Sequence, residues 1–129
     1  MNAPMHATVG IRQLPEFAAA YVRATNNHDA AAFIACFTES AVVNDAGQEF
    51  RGIEAIKAWS DHEIMEAQVA LEVLDVADRN GEVTITTKVD GNFDRTGLPD
   101  PLIINHHITV EGEKIVRLTC QLAGERPAS

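Results

Sequence analysis

The second half of the chain repeats its apolar side chains with a period of two. Between Ala67 and Leu122, four segments alternate in this way, and side chains so spaced lie on one face of a β-strand. Tight turns at Asn80-Gly81 and Glu111-Gly112-Glu113 and a looser loop, Gly91 to Pro101, separate the segments, as in antiparallel neighbours. The sequence therefore predicts an antiparallel meander, with one face carrying Val69, Leu71, Val73, Val83, Ile85, Thr87, Val89, Ile104, His106, Ile108, Val110, Val116, Leu118, Cys120 and Leu122.

The first half shows helical spacing instead. A helix is predicted from about Pro15 to Asn27, because proline suits a first helical turn. Asp29 can cap a short second helix, and a strand from Ser40 to Asp45 follows. A third helix carries one stripe of side chains, with Trp59 beside it. The predicted helical faces are Phe17, Tyr21 and Ala24; Ala30, Phe33 and Phe37; and Ile53, Ile56, Ser60 and Ile64. We therefore expect a single α+β domain over residues 1–129, with its core at about 14–123 and a curved antiparallel sheet of five or six strands packed on three N-terminal helices.

Composition excludes several function classes. A net charge of −9 and a pI of about 4.8 argue against nucleic-acid binding, which needs concentrated Lys and Arg. No apolar run approaches a membrane span, and residues 1–6 do not resemble the start of a signal peptide. We therefore expect a cytoplasmic location without membrane contact, and we expect Cys36 and Cys120 to be reduced, buried thiols.

Asp45 is the candidate centre of chemistry. It ends a short strand and shares a face with Ala41 and Val43, so its carboxylate is expected to point towards the interior. A carboxylate among apolar groups is a stronger base than one in water, because burial disfavours its charged form. The alternative is that Asp45 only stabilises the loop Ala46-Gly47-Gln48 that follows it.

Three motifs resemble the nuclear transport factor 2-like superfamily, which includes the SnoaL-like polyketide cyclases and the ketosteroid isomerases. They are YVRATNNHDAAAFIACF from Tyr21, AVVNDAGQEFRGIEAIKAW from Ala41, and NHHITVEGEKIVRL from Asn105. The resemblance spans roughly Phe17 to Leu122 and implies a cone-shaped fold around a pocket. It implies less about activity, since this superfamily contains isomerases, dehydratases, hydrolases, cyclases and binding modules.

The ketosteroid isomerases are the branch that Ser40 to Gly52 resembles most. The resemblance implies that Asp45 is a general base and that Tyr21 donates a hydrogen bond to an oxyanion. The second donor of that family, a protonated Asp, is replaced here by Asn105 or His106, and alternation favours His106. This departure puts steroid isomerase activity itself in doubt, but not an enolate-stabilising site.

The SnoaL-like cyclases carry a catalytic acid on the final strand, whereas Cys120-Gln121 holds no carboxylate at that place. No metal is expected, because the neighbouring His106 and His107 point to opposite sides of a strand. No cofactor is expected either. The side chains expected to contact a substrate are Phe33, Val43, Trp59, Ile85 and Cys120.

Three functions remain open at this stage. The first is a cofactor-independent acid–base enzyme acting on a small hydrophobic carbonyl compound, with the three candidate side chains expected to border one pocket. The second is a SnoaL-like cyclase or dehydratase-like enzyme, and the third is a non-catalytic ligand-binding or dimerisation module. A homodimer is also expected through the outer sheet face, which carries Thr84, Thr86, Lys88, His107, Thr109, Arg117 and Thr119.

Overall fold

The computed structural model describes residues 14–124. Two α-helices come first, two strands and a third α-helix follow, and four further strands complete the described part of the chain. The expected absence of a signal peptide concerns residues outside this range. The Asp29 side chain caps the second helix by accepting a hydrogen bond from the Ala32 amide at 3.1 Å, which confirms that prediction. The helices are α1 (Glu16–Asn26), α2 (Ala30–Ala35) and α3 (Ile53–Ser60), and a π-helical turn, Asp61–Met65, continues α3.

The strands form one curved, unclosed sheet in the order β2-β1-β6-β5-β4-β3. From β3 to β6 every neighbour is antiparallel, as the alternation and the turns between the segments predict, whereas β1 lies parallel to β6. This architecture confirms the α+β cone. The strands are β1 (Phe37–Asp45), β2 (Gln48–Arg51), β3 (Ala70–Arg79), β4 (Glu82–Asp90), β5 (Ile103–Glu111) and β6 (Lys114–Leu122).

Two details of the expected pattern are wrong. Phe37 begins β1 instead of extending the face of α2. On β6, Ile115 is fully buried while Val116 is only half-buried, because the register between β5 and β6 shifts at Thr109 and Val110. Such a bulge moves one residue to the other face of the sheet.

The helices and the concave face of the sheet enclose the core, in which Tyr21, Phe33, Ile56, Ile85 and Leu118 are among the most buried side chains. The outer face is polar, as expected. The Thr84 hydroxyl lies 2.9 Å from His107 Nδ1, and the Thr86 hydroxyl donates to Asn105 Oδ1 at 2.7 Å. No helix among residues 14–124 is long and apolar enough to cross a bilayer.

Candidate functional site

A cavity of about 900 Å³ opens between the helices and the sheet. Tyr21 reaches it from α1, Asp45 from the end of β1, Trp59 from α3, His106 from β5 and Cys120 from β6. Its outer wall comes from the π-helical turn, from Glu66 directly after it and from the loop between β4 and β5, and includes Glu63, Phe93, Asp94 and Leu98. All three candidate catalytic side chains therefore border one space.

Asp45 is fixed by its neighbour on α3. Trp59 Nε1 donates to Asp45 Oδ2 at 3.0 Å, and Asp45 is only partly buried. Asn44, not Asp45, stabilises the following turn, since its Oδ1 accepts from the Gly47 amide at 3.0 Å. That turn has positive φ at Ala46 (53°) and Gly47 (88°), as a two-residue hairpin loop requires. The carboxylate of Asp45 thus faces the cavity with one oxygen held.

A buried row of polar side chains, formed by Tyr21, His106, Thr87 and Cys120, lies near the same cavity. The Tyr21 hydroxyl is 2.8 Å from His106 Nδ1, and the Thr87 hydroxyl is 2.9 Å from His106 Nε2. Cys120 Sγ lies 3.7 Å from the same Nδ1. Both ring nitrogens of His106 are therefore engaged by side chains, and both Tyr21 and His106 line the cavity. Asn105 is on the outer face, bonded to Thr86, so the alternation argument for His106 agrees with the geometry.

Burial keeps this row uncharged. It lowers the pKa of His106 from 6.5 to about 4, and the neighbouring His107 adds to the effect. Burial, and then electrostatic interactions with Cys120 and Asp45, raise the pKa of Tyr21 well above its usual value. Burial likewise raises the pKa of the Cys120 thiol. At neutral pH the cavity wall therefore presents a phenol, an imidazole with one proton and a thiol, all neutral.

The single imidazole proton can lie in either of two positions. If it is on Nδ1, His106 donates to the Tyr21 oxygen, Thr87 donates to Nε2, and the Tyr21 proton is free to point into the cavity. If it is on Nε2, Tyr21 donates to Nδ1, and the Thr87 hydroxyl donates to the Ile104 carbonyl 3.3 Å away. Only the first arrangement makes Tyr21 a donor to a ligand.

The neutral state of His106 has a consequence for stability. The unfolded chain binds a proton at this side chain below about pH 6.5, but the folded chain does so only below about pH 4. We therefore expect His106 to lower the free energy of unfolding by about 3 kcal/mol as the pH falls from about 6.5 to about 4. Above about pH 6.5 this side chain should make no pH-dependent contribution to stability.

Urea unfolding of the wild type and His106→Gln at stepped pH measures this contribution, and the exposed His62→Gln is the control. The acid sensitivity should shrink in the first variant and persist in the second. An NMR titration of the wild-type imidazoles provides a check that needs no variant. An unchanged pH slope in His106→Gln, or protonation of His106 near its ordinary pKa, would contradict the prediction.

The other predicted contact residues divide into two groups. Trp59 and Cys120 line the cavity. Phe33, Val43 and Ile85 are fully buried and are not among its lining residues. The Phe33 ring instead packs against Tyr21 and Trp59, with centroid distances of 5.6 and 6.1 Å, and so supports two lining residues from behind.

Sequence reasoning did not identify the bond from Trp59 to Asp45 or the role of Thr87. The only available signal was that Thr87 is a hydroxyl at an inward position of an otherwise apolar strand face. Within residues 14–124, no group of three or more His, Cys, Asp or Glu side chains is placed to hold a metal ion.

Solved structures show the same fold. A candidate polyketide cyclase from Sinorhizobium meliloti is 26% identical, with 88% of this chain and 100% of that chain covered and a TM-score of 0.78. A Catenulispora acidiphila protein with a ketosteroid isomerase-like fold, in complex with trimethylamine, is 21% identical, with coverage of 84% and 86% and a TM-score of 0.71. A candidate ketosteroid isomerase from Kribbella flavida is 13% identical, with coverage of 88% and 82% and a TM-score of 0.68.

No curated protein sequence matches the chain. The profile of the SnoaL-like domain, however, matches residues 18–118, which is most of its length. The chain therefore belongs to the SnoaL-like domain family, within the nuclear transport factor 2-like superfamily.

Proposed function

We propose that this protein is a cofactor-independent enzyme that transfers a proton next to the carbonyl group of a small hydrophobic compound. The observation that carries the proposal is the placement of a carboxylate and a buried phenol–imidazole pair on one cavity of about 900 Å³. A base and an oxyanion donor on one cavity are the two groups that enolate formation needs.

Asp45 acts as the base. It removes a proton from the carbon next to the carbonyl, and the C–H electron pair forms the enolate C=C bond while the carbonyl π electrons move to oxygen. Asp45 then returns the proton to the same carbon or to the far end of a conjugated enolate. The Trp59 bond at 3.0 Å holds one carboxylate oxygen, so the carboxylate keeps its orientation between the two transfers.

Tyr21 stabilises the enolate oxygen, and His106 supports Tyr21. When the imidazole proton is on Nδ1, the hydrogen bonds run from Thr87 to His106 to Tyr21 and then to the oxyanion. Each bond polarises the next in a surrounding of low dielectric. In this proposal His106 works through Tyr21, whereas the sequence predicted that both side chains contact the oxygen.

Thr87 provides a test of this chain of hydrogen bonds, because it is fully buried and does not line the cavity. We expect Thr87→Val to reduce the proton-transfer rate by about fivefold to tenfold through the loss of one hydrogen bond of roughly 1 kcal/mol, with KM unchanged. Thr87→Ser keeps the hydroxyl and should restore most of the rate. Equal rates in the two variants, or a change confined to KM, would contradict the assignment.

Hydrogen–deuterium exchange tests the activity without knowledge of the natural substrate. We expect the protein to accelerate the exchange of the benzylic protons of 2-tetralone in D2O, and the conversion of cyclohex-3-enone to cyclohex-2-enone. Both reactions are followed by proton NMR. Rates equal to those of buffer, together with no binding of phenols, would overturn the proposal.

The second candidate is a SnoaL-like cyclase. It is favoured by the 26% identity with the Sinorhizobium meliloti protein, and disfavoured by the absence of a carboxylate on β6 at Cys120 and Gln121. A non-catalytic binder is the third candidate. Binding of phenols with no dependence on their acidity, and no exchange of 2-tetralone, would favour that reading.

We also propose a cytoplasmic homodimer that forms through the outer sheet face and binds a small hydrophobic ligand in each cavity. The support is a broad sheet face rich in threonine, with cross-strand bonds such as that between Thr86 and Asn105. Both cysteines are free thiols, as a reducing compartment favours. Sedimentation velocity at micromolar concentration should give a dimer, and a monomer there would exclude this assembly.

A further inference from the structure

The proposed proton transfer does not use one buried side chain of the cavity wall, the thiol of Cys120. Cys120 is 8% exposed and lies on β6, which runs between β1 and β5. It is paired directly with Asp45 on one side and with His106 on the other. Neighbouring strands lie about 4.8 Å apart, and directly paired residues have their side chains on the same face. A ligand that reaches from Asp45 to Tyr21 therefore passes over the thiol.

The thiol proton has no acceptor on His106. Cys120 Sγ lies 3.7 Å from His106 Nδ1, but the Tyr21 hydroxyl lies only 2.8 Å from the same nitrogen. An imidazole nitrogen makes one hydrogen bond, as a donor when it carries the proton and as an acceptor when it does not. In both positions of the imidazole proton, the shorter contact with Tyr21 uses that bond. A buried S–H group therefore borders the cavity beside the Tyr21 hydroxyl, with which it also interacts.

The thiol keeps its proton at neutral pH. Burial raises the pKa of Cys120, and the electrostatic interaction with Asp45 adds to this effect. An S–H group is a weak hydrogen-bond donor, but a hydrogen bond to a charged acceptor is roughly twice as strong as one between neutral groups. Its bond to a ligand oxygen therefore strengthens as that oxygen becomes negative, which is the property that stabilises a transition state more than a substrate.

We propose that Cys120 donates its thiol hydrogen to the same ligand oxygen as Tyr21 and is the second oxyanion donor of the site. The inference rests on the proposed function, which places that oxygen at Tyr21. Tyr21 positions the oxygen, because a thiol is too weak a donor to hold it alone. Cys120 adds a second hydrogen bond as the negative charge develops, and its sulfur forms no covalent bond. This role falls to a side chain on β6, whereas the sequence predicted it for His106 on β5.

The infrared S–H stretching band measures this hydrogen bond directly. The band lies where few other protein groups absorb, and it moves to lower wavenumber when the thiol donates a stronger bond. The chain contains two cysteines, so Cys36→Ala, a change outside this cavity, leaves Cys120 as the only thiol. In that variant we expect the band to move to lower wavenumber when a phenol binds, and to move further for more acidic phenols. Cys36→Ala/Cys120→Ala provides the blank spectrum.

Variants of Cys120 test whether the bond contributes to the rate. We expect Cys120→Ala to slow the exchange of 2-tetralone protons by about threefold to tenfold with little change in KM, because one donor to the enolate oxygen is lost. Cys120→Ser keeps a donor at this position and should recover most of that loss. Both variants remove the sulfur atom, so a packing effect alone would lower the two rates equally. Cys36→Ala is the control and should keep the wild-type rate.

The two measurements separate this inference from the proposed function. If phenols bind in a Tyr21-dependent way but the S–H band does not move, the second donor is excluded and the proposed function stands. Equal losses of rate in Cys120→Ala and Cys120→Ser, or a change confined to KM, would also exclude it. If no phenol binds and 2-tetralone exchanges at the rate of buffer, both are overturned. The infrared experiment leaves Cys120 in place, so its outcome does not depend on whether the Cys120 variants fold.

Discussion

Replacement of Asp45 by Asn is expected to reduce the exchange of 2-tetralone protons by about a thousandfold or more, because the amide cannot accept the proton and general bases typically contribute factors of this size. The fold should survive, because the amide oxygen of Asn can still accept the hydrogen bond that Trp59 Nε1 donates to Asp45 at 3.0 Å in the wild type. Exchange is followed by NMR in D2O, and stability by urea unfolding at neutral pH.

Asp75→Asn is the matched control for this experiment. It makes the same chemical change at an exposed position of β3 that does not line the cavity, so both rate and stability should be unchanged. Undiminished exchange in Asp45→Asn would remove Asp45 from the mechanism. A clear loss of folding in that variant would assign the carboxylate a structural role.

Tyr21→Phe is expected to slow the same reaction by about a hundredfold to a thousandfold, the usual effect of removing one oxyanion donor. It should also abolish the dependence of phenol affinity on phenol acidity, because that dependence reports the hydrogen bond to a phenolate-like oxygen. His106→Leu should have a smaller effect, since in the proposed mechanism His106 acts on the ligand through Tyr21. Calorimetry on a series of substituted phenols provides the measurement.

Tyr21→Phe also removes the partner that lies 2.8 Å from His106 Nδ1 and leaves only Cys120 Sγ at 3.7 Å, at a cost of about 1–3 kcal/mol of stability. Urea unfolding of Tyr21→Phe separates this effect from the loss of rate. An unaltered dependence on phenol acidity would show that another group contacts the oxygen. The protein would then be better described as a binder of apolar ligands with Tyr21 as a core residue.

The spacing of apolar residues was sufficient to predict most of the fold. The alternation in strands β3 to β6 and the turns at 80–81 and 111–113 predict the meander, because local spacing alone decides which face a side chain occupies. The same reasoning fails at Val116, because a bulge depends on how two strands meet and leaves no mark in either one. The parallel contact of β1 with β6 was likewise not predictable from local spacing, since it joins segments that are far apart in the sequence.

The sequence was sufficient to predict which residues form the candidate site, but not the hydrogen bonds among them. Tyr21, Asp45 and His106 follow from a resemblance and from alternation, and they border one cavity. The pairing of His106 with Thr87, and of Trp59 with Asp45, depends on the packing of α3 against the sheet and on rotamers that spacing does not specify. That Glu63 and Glu66 line the cavity was not predicted from the sequence; Glu63 lies in the π-helical turn and Glu66 directly follows it.

The parallel pairing of β1 with β6 determines when the site can form. Asp45 lies opposite Cys120, and the Ala46 amide donates to the Cys120 carbonyl at 3.2 Å. The other ordered neighbour of β1 is β2, a strand of four residues. Contacts this distant in sequence are slow to form. A chain in which Lys114–Leu122 has not yet paired with β1 therefore holds Asp45 on a strand with only one short neighbour, so the candidate site is complete only after these two distant segments have met.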